Sequence, residues 1–494
     1  MEKPNFLIIM ADQLTPFMTG AYGNAQVKTP NLDRLCAEGV RFDAAYSPNP
    51  LCTPARASFM TGKYTYDLGC FDNSHAFSSE EPTYAHYLSL AGYDTVLSGK
   101  MHFVGPDQLH GLDRRLTTDS YPSDYSWLPK YLSKEPFLMQ DPWGNAANYV
   151  KEACYPSEWT TFINYDEETH FRAKEYLYGL VPKRQKDKPF CLCVSYHHPH
   201  DPFQPPQKYY DMYANVDMQI PCPLEYGDNE KTLLDRRLAN GFHRLDKFDV
   251  TKPDGLLELR RCYAALTTYI DDKVGELLDA LRNTGLDKNT VVFFTSDHGD
   301  MLGERGMVQK RCFYEWSSRI PLIIRFPDGK YRGQVITSPC SMLDIGETMI
   351  ELAGAKHPDA PETDAVSLMR YLEDKTFSRD IFCEYHGEGV MLPCFMVRRG
   401  DYKYTYIHQH EEQLFNVIAD PDERKNLSAH AEYVELENRM RYAVLARFSP
   451  EQVLNYLELS RKRRAIVRAA NKARGVSWDY SPVFPDSRRY SHGV

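Results

Sequence analysis

The sequence lacks the features of a membrane protein or a nucleic-acid-binding protein. No apolar run approaches the roughly 18 residues of a membrane span. The N-terminal run, FLIIMA at residues 6–11, is short and follows both Glu2 and Lys3, so it does not have the form of a signal peptide. A net charge of −10 disfavours nucleic acid as a partner. We therefore expect a cytoplasmic protein with no membrane or nucleic-acid partner.

Paired cysteine motifs, internal repeats and low-complexity tracts are also lacking. The 12 cysteines show no CxxC pair and no zinc spacing. In a reducing compartment such cysteines stay mostly as free thiols. One of them, Cys52, has unusual neighbours, because prolines flank it in PNPLCTPAR and Arg56 follows four residues later.

Length and hydrophobic pattern predict the fold class. The 494 residues are too many for one simple core and predict a large α/β domain with a smaller companion. A helical pattern at 255–285 has a period close to 3.6 residues and ends at Gly285. Short apolar runs rich in strand formers lie at 6–11, 189–196, 290–296 and 321–326. This alternation predicts a large, mainly parallel central sheet flanked by helices on both faces.

The pattern changes near residue 380, where short segments resemble antiparallel strands. We therefore predict a large α/β domain at 1–374, a small antiparallel α+β subdomain at 375–445, and a helix with an extended C-terminal tail at 446–494. Residues 461–474 contain seven Lys or Arg and no acid. Two interpretations of this last part stay open: a solvated basic helix with a frayed end, or an arm that packs on a neighbouring subunit.

Polar side chains follow three of the predicted strands. Asp12 and Gln13 follow the first, HHPHDP follows the second, and Asp297 and His298 follow the third. In parallel sheets, sites collect beyond the carboxyl ends of the strands. Two carboxylates, an amide oxygen and an imidazole favour Ca²⁺, Mg²⁺ or Mn²⁺ over a closed zinc site. Each residue alone is more simply explained as a cap or turn former.

A second set of residues is cationic. Cations beside a metal indicate an anionic tetrahedral group such as sulfate or phosphate. The alternative for any single member is a surface lysine or a histidine satisfied in the core. The set lies on loops just after apolar runs and consists of Arg56, Lys63, Lys100, His102, His198, His200 and Lys310.

The segment CTPAR at residues 52–56 fits C-x-P-x-R and resembles the signature of type I sulfatases, which belong to the alkaline phosphatase superfamily. The neighbouring MTGKY and the block SDHGDMLGERG are also similar to that family. Residues 82–127 and the tail segment WDYSP…SRRY at 478–490 are similar to the choline sulfatases within it. The resemblance implies an alkaline-phosphatase-like fold, and it implies that Cys52 is oxidised after translation to formylglycine (3-oxoalanine).

The resemblance also implies the chemistry of residue 52. A hydrated aldehyde carries two hydroxyls on one carbon. One attacks sulfur and displaces the alcohol, and the other then loses its proton and expels sulfate. Residue 52 is thereby nucleophile and metal ligand together, and Ca²⁺ is the first expectation for the ion, with Mn²⁺ or Mg²⁺ open. The implied metal ligands are Asp12, Gln13, Cys52, Asp297 and His298.

Further roles follow from the same resemblance. Arg56 would orient the formylglycine, Lys100 would bind sulfate, and His102 would take the proton of the elimination step. His200 and Lys310 would face the leaving-group oxygen. The candidate substrate-binding residues are Asn73, as a sulfate contact, Trp127, His198 and Glu384.

Two departures from the family pattern bear on the substrate. Many sulfatases carry a second aspartate after the first strand. This chain has Gln13 there, as phosphonate monoester hydrolases and some sulfatases do. Residues 128–165 match the choline sulfatases poorly, although they should form part of the alcohol pocket. Aromatic faces there, Trp143 and Trp159, could hold a quaternary ammonium by cation–π attraction or could be packing anchors.

Three hypotheses follow. The first is a sulfatase that hydrolyses a small alkyl sulfate, with choline sulfate as the leading candidate and another small or carbohydrate sulfate as the variant. The second is a phosphonate monoester or phosphodiester hydrolase on the same site. The third, a non-catalytic binding protein, is disfavoured because the whole motif set is present. The implied partners are a formylglycine-generating maturation enzyme and further copies of the chain, in a dimer or tetramer formed through the C-terminal tail.

Overall fold

The structure is a computed structural model, and it describes residues 3–128, 130–131, 139–140, 154–180, 188–221, 231–241, 253–388 and 392–478. Its strands, in chain order, are β1 Asn5–Asp12, β2 Val40–Phe42, β3 Ala45–Tyr46, β4 Asp94–Gly99, β5 Arg114–Arg115, β6 Lys130–Tyr131, β7 Met139–Gln140, β8 Phe190–Pro199, β9 Thr290–Ser296, β10 Arg319–Ile320, β11 Leu322–Arg325, β12 Gln334–Ile336, β13 Cys340–Ser341, β14 Ile381–Tyr385, β15 Cys394–Arg399, β16 Tyr402–Ile407 and β17 Gln413–Asn416.

The helices come between and after these strands. The α-helices are Pro30–Glu38, Cys52–Thr61, Thr65–Leu68, Tyr84–Leu90, Thr161–Gly179, Gln207–Tyr210, Leu233–Gly241, Pro253–Thr284, Glu315–Ser318, Asp344–Ala353, Met369–Glu373, Val434–Arg447 and Pro450–Arg474. Short 3₁₀ helices lie at Pro16–Met18, Gly20–Tyr22, Tyr125–Trp127, Leu286–Asn289 and Glu304–Gly306.

The central sheet has eight strands in the order β12-β2-β11-β9-β1-β8-β4-β5. The run from β9 through β1, β8 and β4 to β5 is parallel throughout. Strand β11 is antiparallel to both of its neighbours, β9 and β2. The predicted mainly parallel sheet is therefore confirmed.

Strand β1 shows how the two faces of this sheet are covered. Phe6, Ile8 and Met10 belong to one buried cluster, which includes residues of the helices Cys52–Thr61 and Asp344–Ala353. The alternate residues of β1 belong to another cluster, which is built largely on the helix Pro253–Thr284. Successive strand side chains point to opposite faces, so one apolar run supplies both cores.

The predicted C-terminal sheet is also present. Strands β14, β15, β16 and β17 pair in that order, and every pair is antiparallel. The predicted long helix is observed as Pro253–Thr284, with Gly285 after it in the left-handed region at a φ of 70°. The domain boundaries at 374 and 445 stay a prediction. The tail beyond residue 478 lies outside the described residues.

Within the described part of the chain, no helix is both long and apolar enough to cross a membrane. The 11 cysteines of the described ranges are free thiols.

A buried group of charges connects the C-terminal sheet to the main sheet domain. The Lys403 ammonium on β16 lies 2.9 Å from a Glu315 carboxylate oxygen and 2.5 Å from Glu423. Glu315 also accepts a hydrogen bond from the Tyr46 hydroxyl of β3, at 2.9 Å. Burial raises the pKa of Glu423 to about 6, although Lys403 opposes that shift. The single ammonium therefore compensates two buried carboxylates.

We expect Lys403→Met to destabilise the protein strongly. Removing one partner of a buried ion pair leaves uncompensated charge, which costs about 3–5 kcal/mol of unfolding free energy. Thermal unfolding measures the loss. Lys462→Met is the matched control, because Lys462 is 61% exposed and its ion pair is with Glu458 of its own helix. Its effect should stay within about 0.5 kcal/mol. A wild-type melting curve for Lys403→Met would contradict the stabilising role.

Candidate active site

The candidate site lies where four neighbouring strands end. Strands β9, β1, β8 and β4 are adjacent and parallel, so their carboxyl ends meet at one edge of the sheet. The segments that follow them carry most of the predicted site residues. These are Asp297 and His298 after β9, Asp12 and Gln13 at the end of β1, His198 and His200 at the end of β8, and Lys100 and His102 after β4.

Cys52 begins the helix Cys52–Thr61 and points into this edge. Pro54 lies in the first turn, where its missing N–H breaks no helical hydrogen bond. The Cys52 Sγ lies 3.2 Å from His298 Nε2 and 4.0 Å from Asp12 Oδ1. Burial, with a further contribution from Asp12, raises the pKa of the Cys52 thiol to about 12. Without a metal ion in the site, the unmodified thiol therefore stays protonated at neutral pH.

Four side chains could hold a metal ion. One ligand atom from each lies within 4.8 Å of all the others, and all four residues are buried: Asp12, Cys52, Asp297 and His298. Two carboxylates and an imidazole fit a divalent cation. An oxygen in place of Sγ at residue 52 would give the oxygen-rich set that Ca²⁺ or Mg²⁺ prefers. The residues present therefore fit the ion that the resemblance implies.

Arg56 binds both carboxylates of this set. Its Nε lies 2.9 Å from Asp297 Oδ2, and its Nη2 lies 3.0 Å from Asp12 Oδ2. Its Nη1 donates to the Lys100 carbonyl at 2.6 Å and to the Ser195 hydroxyl at 2.9 Å. All of these side chains are buried, so the hydrogen bonds operate with little screening by water.

The Gln13 amide has a fixed orientation. Its Nε2 donates to Asp201 Oδ1 at 3.2 Å and to Asp300 Oδ2 at 2.5 Å. The amide oxygen accordingly faces the other way and accepts a hydrogen bond from Lys310. Two carboxylates can only accept here, so they orient the amide and leave its oxygen toward the cationic side. An aspartate at position 13 would lack these donors.

Lys100 and His102 occupy the loop after β4. The Lys100 ammonium pairs with Asp12 and lies 4.2 Å from the centre of the Tyr121 ring. Burial and Lys100 hold the pKa of His102 well below its usual range, so the ring is neutral and can accept a proton. Its backbone is left-handed, with a φ of 55°. The Asp119 carboxylate holds that turn by accepting the His102 N–H at 2.7 Å.

His200 is the histidine of the HHPH segment that reaches Lys310. Its Nε2 lies 2.7 Å from the Lys310 ammonium. Burial and Lys310 lower the pKa of His200 well below its usual value. His198 turns instead toward Asp166, with its Nδ1 2.7 Å from that carboxylate. The two histidines therefore have different partners, with His200 in contact with Lys310 and His198 with Asp166.

The predicted substrate-binding residues differ in their partners and in their exposure to solvent. The Asn73 Oδ1 accepts the backbone N–H of Thr53 at 3.0 Å, next to Cys52. Glu384 is engaged at the end of β14, where it accepts the Tyr66 N–H at 3.1 Å and lies 3.0 Å from His386. Trp159 is 59% exposed. The side chain of Trp127 and all of Trp143 lie outside the described residues. These roles stay predictions.

Several carboxylates of the site were missed from the sequence. Asp201 lies within the motif HHPHDP and Asp300 within SDHGD. Their position inside these motifs could have identified them as site residues. Asp119, Asp166 and Glu388 carried no such signal. Glu388 is buried, with one oxygen 3.6 Å from Arg311 and the other accepting from Asn73 at 3.4 Å.

We expect Gln13→Met to lower stability in the metal-free protein. The change keeps the side-chain size and removes the hydrogen bonds to Asp201, Asp300 and Lys310. A hydrogen bond to a charged group contributes about 1.5–3 kcal/mol, so a loss of at least about 3 kcal/mol in unfolding free energy is expected. Thermal unfolding after chelation measures it, with the exposed Gln409→Met as control. Equal melting temperatures for the two variants would contradict the oriented amide.

Comparison with known proteins gives consistent matches over the whole chain. The Sulfatase family model matches residues 4–355, and the N-sulphoglucosamine sulphohydrolase C-terminal model matches residues 303–448. The choline-sulfatase of Rhizobium meliloti (strain 1021) is 37% identical over 506 residues, which cover 99% of this chain and 95% of that relative.

Solved structures resemble the fold. The phosphonate monoester hydrolase SpPMH of Silicibacter pomeroyi has a TM-score of 0.74 at 21% identity. The match covers 90% of this chain and 95% of the hydrolase chain. A protein in complex with its substrate, D-glucosamine-2-N,6-O-disulfate, has a TM-score of 0.68 at 24% identity, covering 94% and 98%. The predicted alkaline-phosphatase-like fold is confirmed. Because the Sulfatase family model matches residues 4–355 and a curated relative is 37% identical, this chain belongs to the sulfatase family.

Proposed function

We propose that this sulfatase hydrolyses a small alkyl sulfate, with choline sulfate as the first candidate, through a formylglycine at position 52 and a bound divalent cation. The observation that carries the proposal is the position of Cys52. It begins a helix inside a buried set of potential metal ligands, and three cationic side chains, Arg56, Lys100 and Lys310, surround that set. The 37% identity to a choline-sulfatase supports the choice of alcohol.

The cationic residues would bind and orient the ester. Sulfate monoesters hydrolyse very slowly, so strong stabilisation of charge in the transition state is needed. Arg56 would hold the hydrated side chain of residue 52, and Lys100 would bind sulfate oxygens. A divalent cation in the site would lower the pKa of the nucleophile and neutralise sulfate charge. The buried setting would strengthen each of these interactions.

Two histidines would move protons. His102 is neutral and buried, and in this proposal it takes the proton of the second hydroxyl of residue 52 when sulfate is expelled. His200 and Lys310 are in contact, and they would supply a proton or positive charge to the leaving-group oxygen. Ca²⁺ is the first candidate for the ion, with Mn²⁺ or Mg²⁺ as alternatives.

Partners and location remain part of the proposal. A formylglycine-generating maturation enzyme would convert Cys52, and the location would be cytoplasmic. A dimer or tetramer would form through the C-terminal tail, whose residues 479–494 lie outside the described part of the chain.

A second candidate function, hydrolysis of phosphonate monoesters or phosphodiesters, is favoured by two observations. Gln13 stands where many sulfatases have aspartate, and the structural neighbour with a TM-score of 0.74 is a phosphonate monoester hydrolase. A carbohydrate sulfate is a further alternative, supported by the match of residues 303–448 to the N-sulphoglucosamine sulphohydrolase C-terminal model.

Steady-state kinetics on matched substrates separate these candidates. We expect kcat/KM for choline sulfate to exceed that for a phosphonate monoester, a phosphodiester and a glucosamine 6-sulfate by at least about a hundredfold, or roughly 2.7 kcal/mol of transition-state stabilisation. An uncharged alkyl sulfate of similar size is the control for the ammonium group. Faster turnover of the phosphodiester or the sugar sulfate would replace the proposed substrate.

We expect Cys52→Ala to abolish turnover and to leave the fold intact, because residue 52 is the proposed nucleophile. The mass of the wild-type peptide that holds residue 52 should be that of an aldehyde or its hydrate. Cys36→Ala is the matched control, because Cys36 is a half-buried free thiol on another helix. Near-normal activity of Cys52→Ala, or a fully active wild type whose residue 52 is entirely thiol, would refute the mechanism.

A further inference from the structure

The C-terminal helix Pro450–Arg474 contacts the loop at residues 69–75 along one stripe. Tyr456, Ser460 and Arg464 are spaced four residues apart, so they lie on one face of the helix. The Tyr456 ring lies 5.4 Å from the centre of the Phe71 ring, and the Ser460 hydroxyl lies 2.9 Å from His75 Nε2. This face of the basic helix is therefore partly covered by the loop, although Tyr456 stays 43% exposed.

Arg464 makes the strongest contact of the stripe. Its Nη1 and Nη2 donate to the two carboxylate oxygens of Asp72, at 2.7 and 2.9 Å. Asp72 is buried, and Arg464 is almost fully buried. Such bidentate, charge-assisted pairs fix geometry as well as contribute energy. The other six basic residues of 461–474 lie nearer to solvent, so Arg464 stands apart from them.

Asp72 organises the loop that it belongs to. One of its oxygens accepts the Ser74 N–H at 2.8 Å, and its carbonyl accepts the His75 N–H at 3.0 Å. Asn73 lies between Asp72 and Ser74 and is held by this turn. Its Oδ1 accepts a hydrogen bond from the Thr53 N–H at 3.0 Å. That N–H belongs to the first turn of the helix that Cys52 begins. Three short contacts thus connect Arg464 to the residue next to the nucleophile position.

We infer that Arg464 is a positioning residue for this site: through Asp72 it fixes Asn73 against the first turn of the helix that carries residue 52. The inference rests on the proposed function only in taking residue 52 as the reacting group. Among the described residues, the contact that links Arg464 to the site is the one with Asp72, and its proposed effect passes through Asn73. The C-terminal helix is therefore part of the apparatus that sets the geometry of the nucleophile.

A double-mutant cycle tests the inference. We expect Arg464→Ala to lower kcat/KM for the sulfate ester by about tenfold, and the same change in an Asn73→Ala background to lower it by less than about twofold, because the route is already broken. Arg464→Lys should retain an intermediate rate, since it keeps the charge but not the bidentate contact. Arg463→Ala, exposed on the same helix, is the control and should behave as wild type.

Rates are compared well below the melting temperature of each variant, per folded enzyme and at equal modification of residue 52 by mass spectrometry. If Arg464→Ala does not fold, the cycle is run with Asp72→Asn, which keeps the loop hydrogen bonds and weakens the ion pair. A lower melting temperature with unchanged kcat and KM would overturn the inference. A double variant whose loss of kcat/KM equals the product of the two single losses would also overturn it. Failure of the wild type to hydrolyse any sulfate ester would count against the proposed function instead.

Discussion

The fully buried guanidinium of Arg56 is the interaction on which the rest of the site depends. Removing a cation from water costs several kcal/mol, so it must be offset by well-placed acceptors. Here the acceptors are Asp12, Asp297 and the Lys100 carbonyl, at the ends of β1, β9 and β4, and the Ser195 hydroxyl within β8. Arg56 also lies one helical turn after Cys52. One side chain therefore connects four neighbouring strands with the proposed nucleophile position.

In Asp12 and in Asp297, the two carboxylate oxygens have different partners. Asp12 directs Oδ2 to Arg56 and Lys100, while its Oδ1 faces Cys52. The Oδ2 of Asp297 binds Arg56, and its Oδ1 accepts the Gln13 N–H at 3.0 Å. Lys100 and Arg56 outweigh the effect of burial and hold the pKa of Asp12 well below its usual value. These cations keep Asp12 ionised in a place where burial alone would protonate it.

The parts of the molecule that follow local rules could be predicted from the sequence. Strands β1, β8 and β9 are buried on both faces and so appear as continuous apolar runs, and the residues after them gave most of the site. Glu388 and Arg464 could not be predicted, because each contacts a partner far away in the chain and no local pattern specifies that pairing. Asp119 could not be predicted because its contact with the His102 N–H depends on how the loop folds back. The alcohol pocket escaped prediction for a related reason, since residues 128–165 do not follow the family motif.

The burial of Cys52 has a consequence for the order of events in synthesis. The side chain is 1% exposed, and the loop beside it is fixed by Asp72 pairing with Arg464, 392 residues further along the chain. Under the proposed maturation, a modifying enzyme would reach this thiol only before the site closes. Since Arg464 belongs to the helix Pro450–Arg474, near the end of the chain, the segment around residue 52 would stay accessible for most of translation. The late synthesis of Arg464 would then give the proposed modification time to occur before folding is complete.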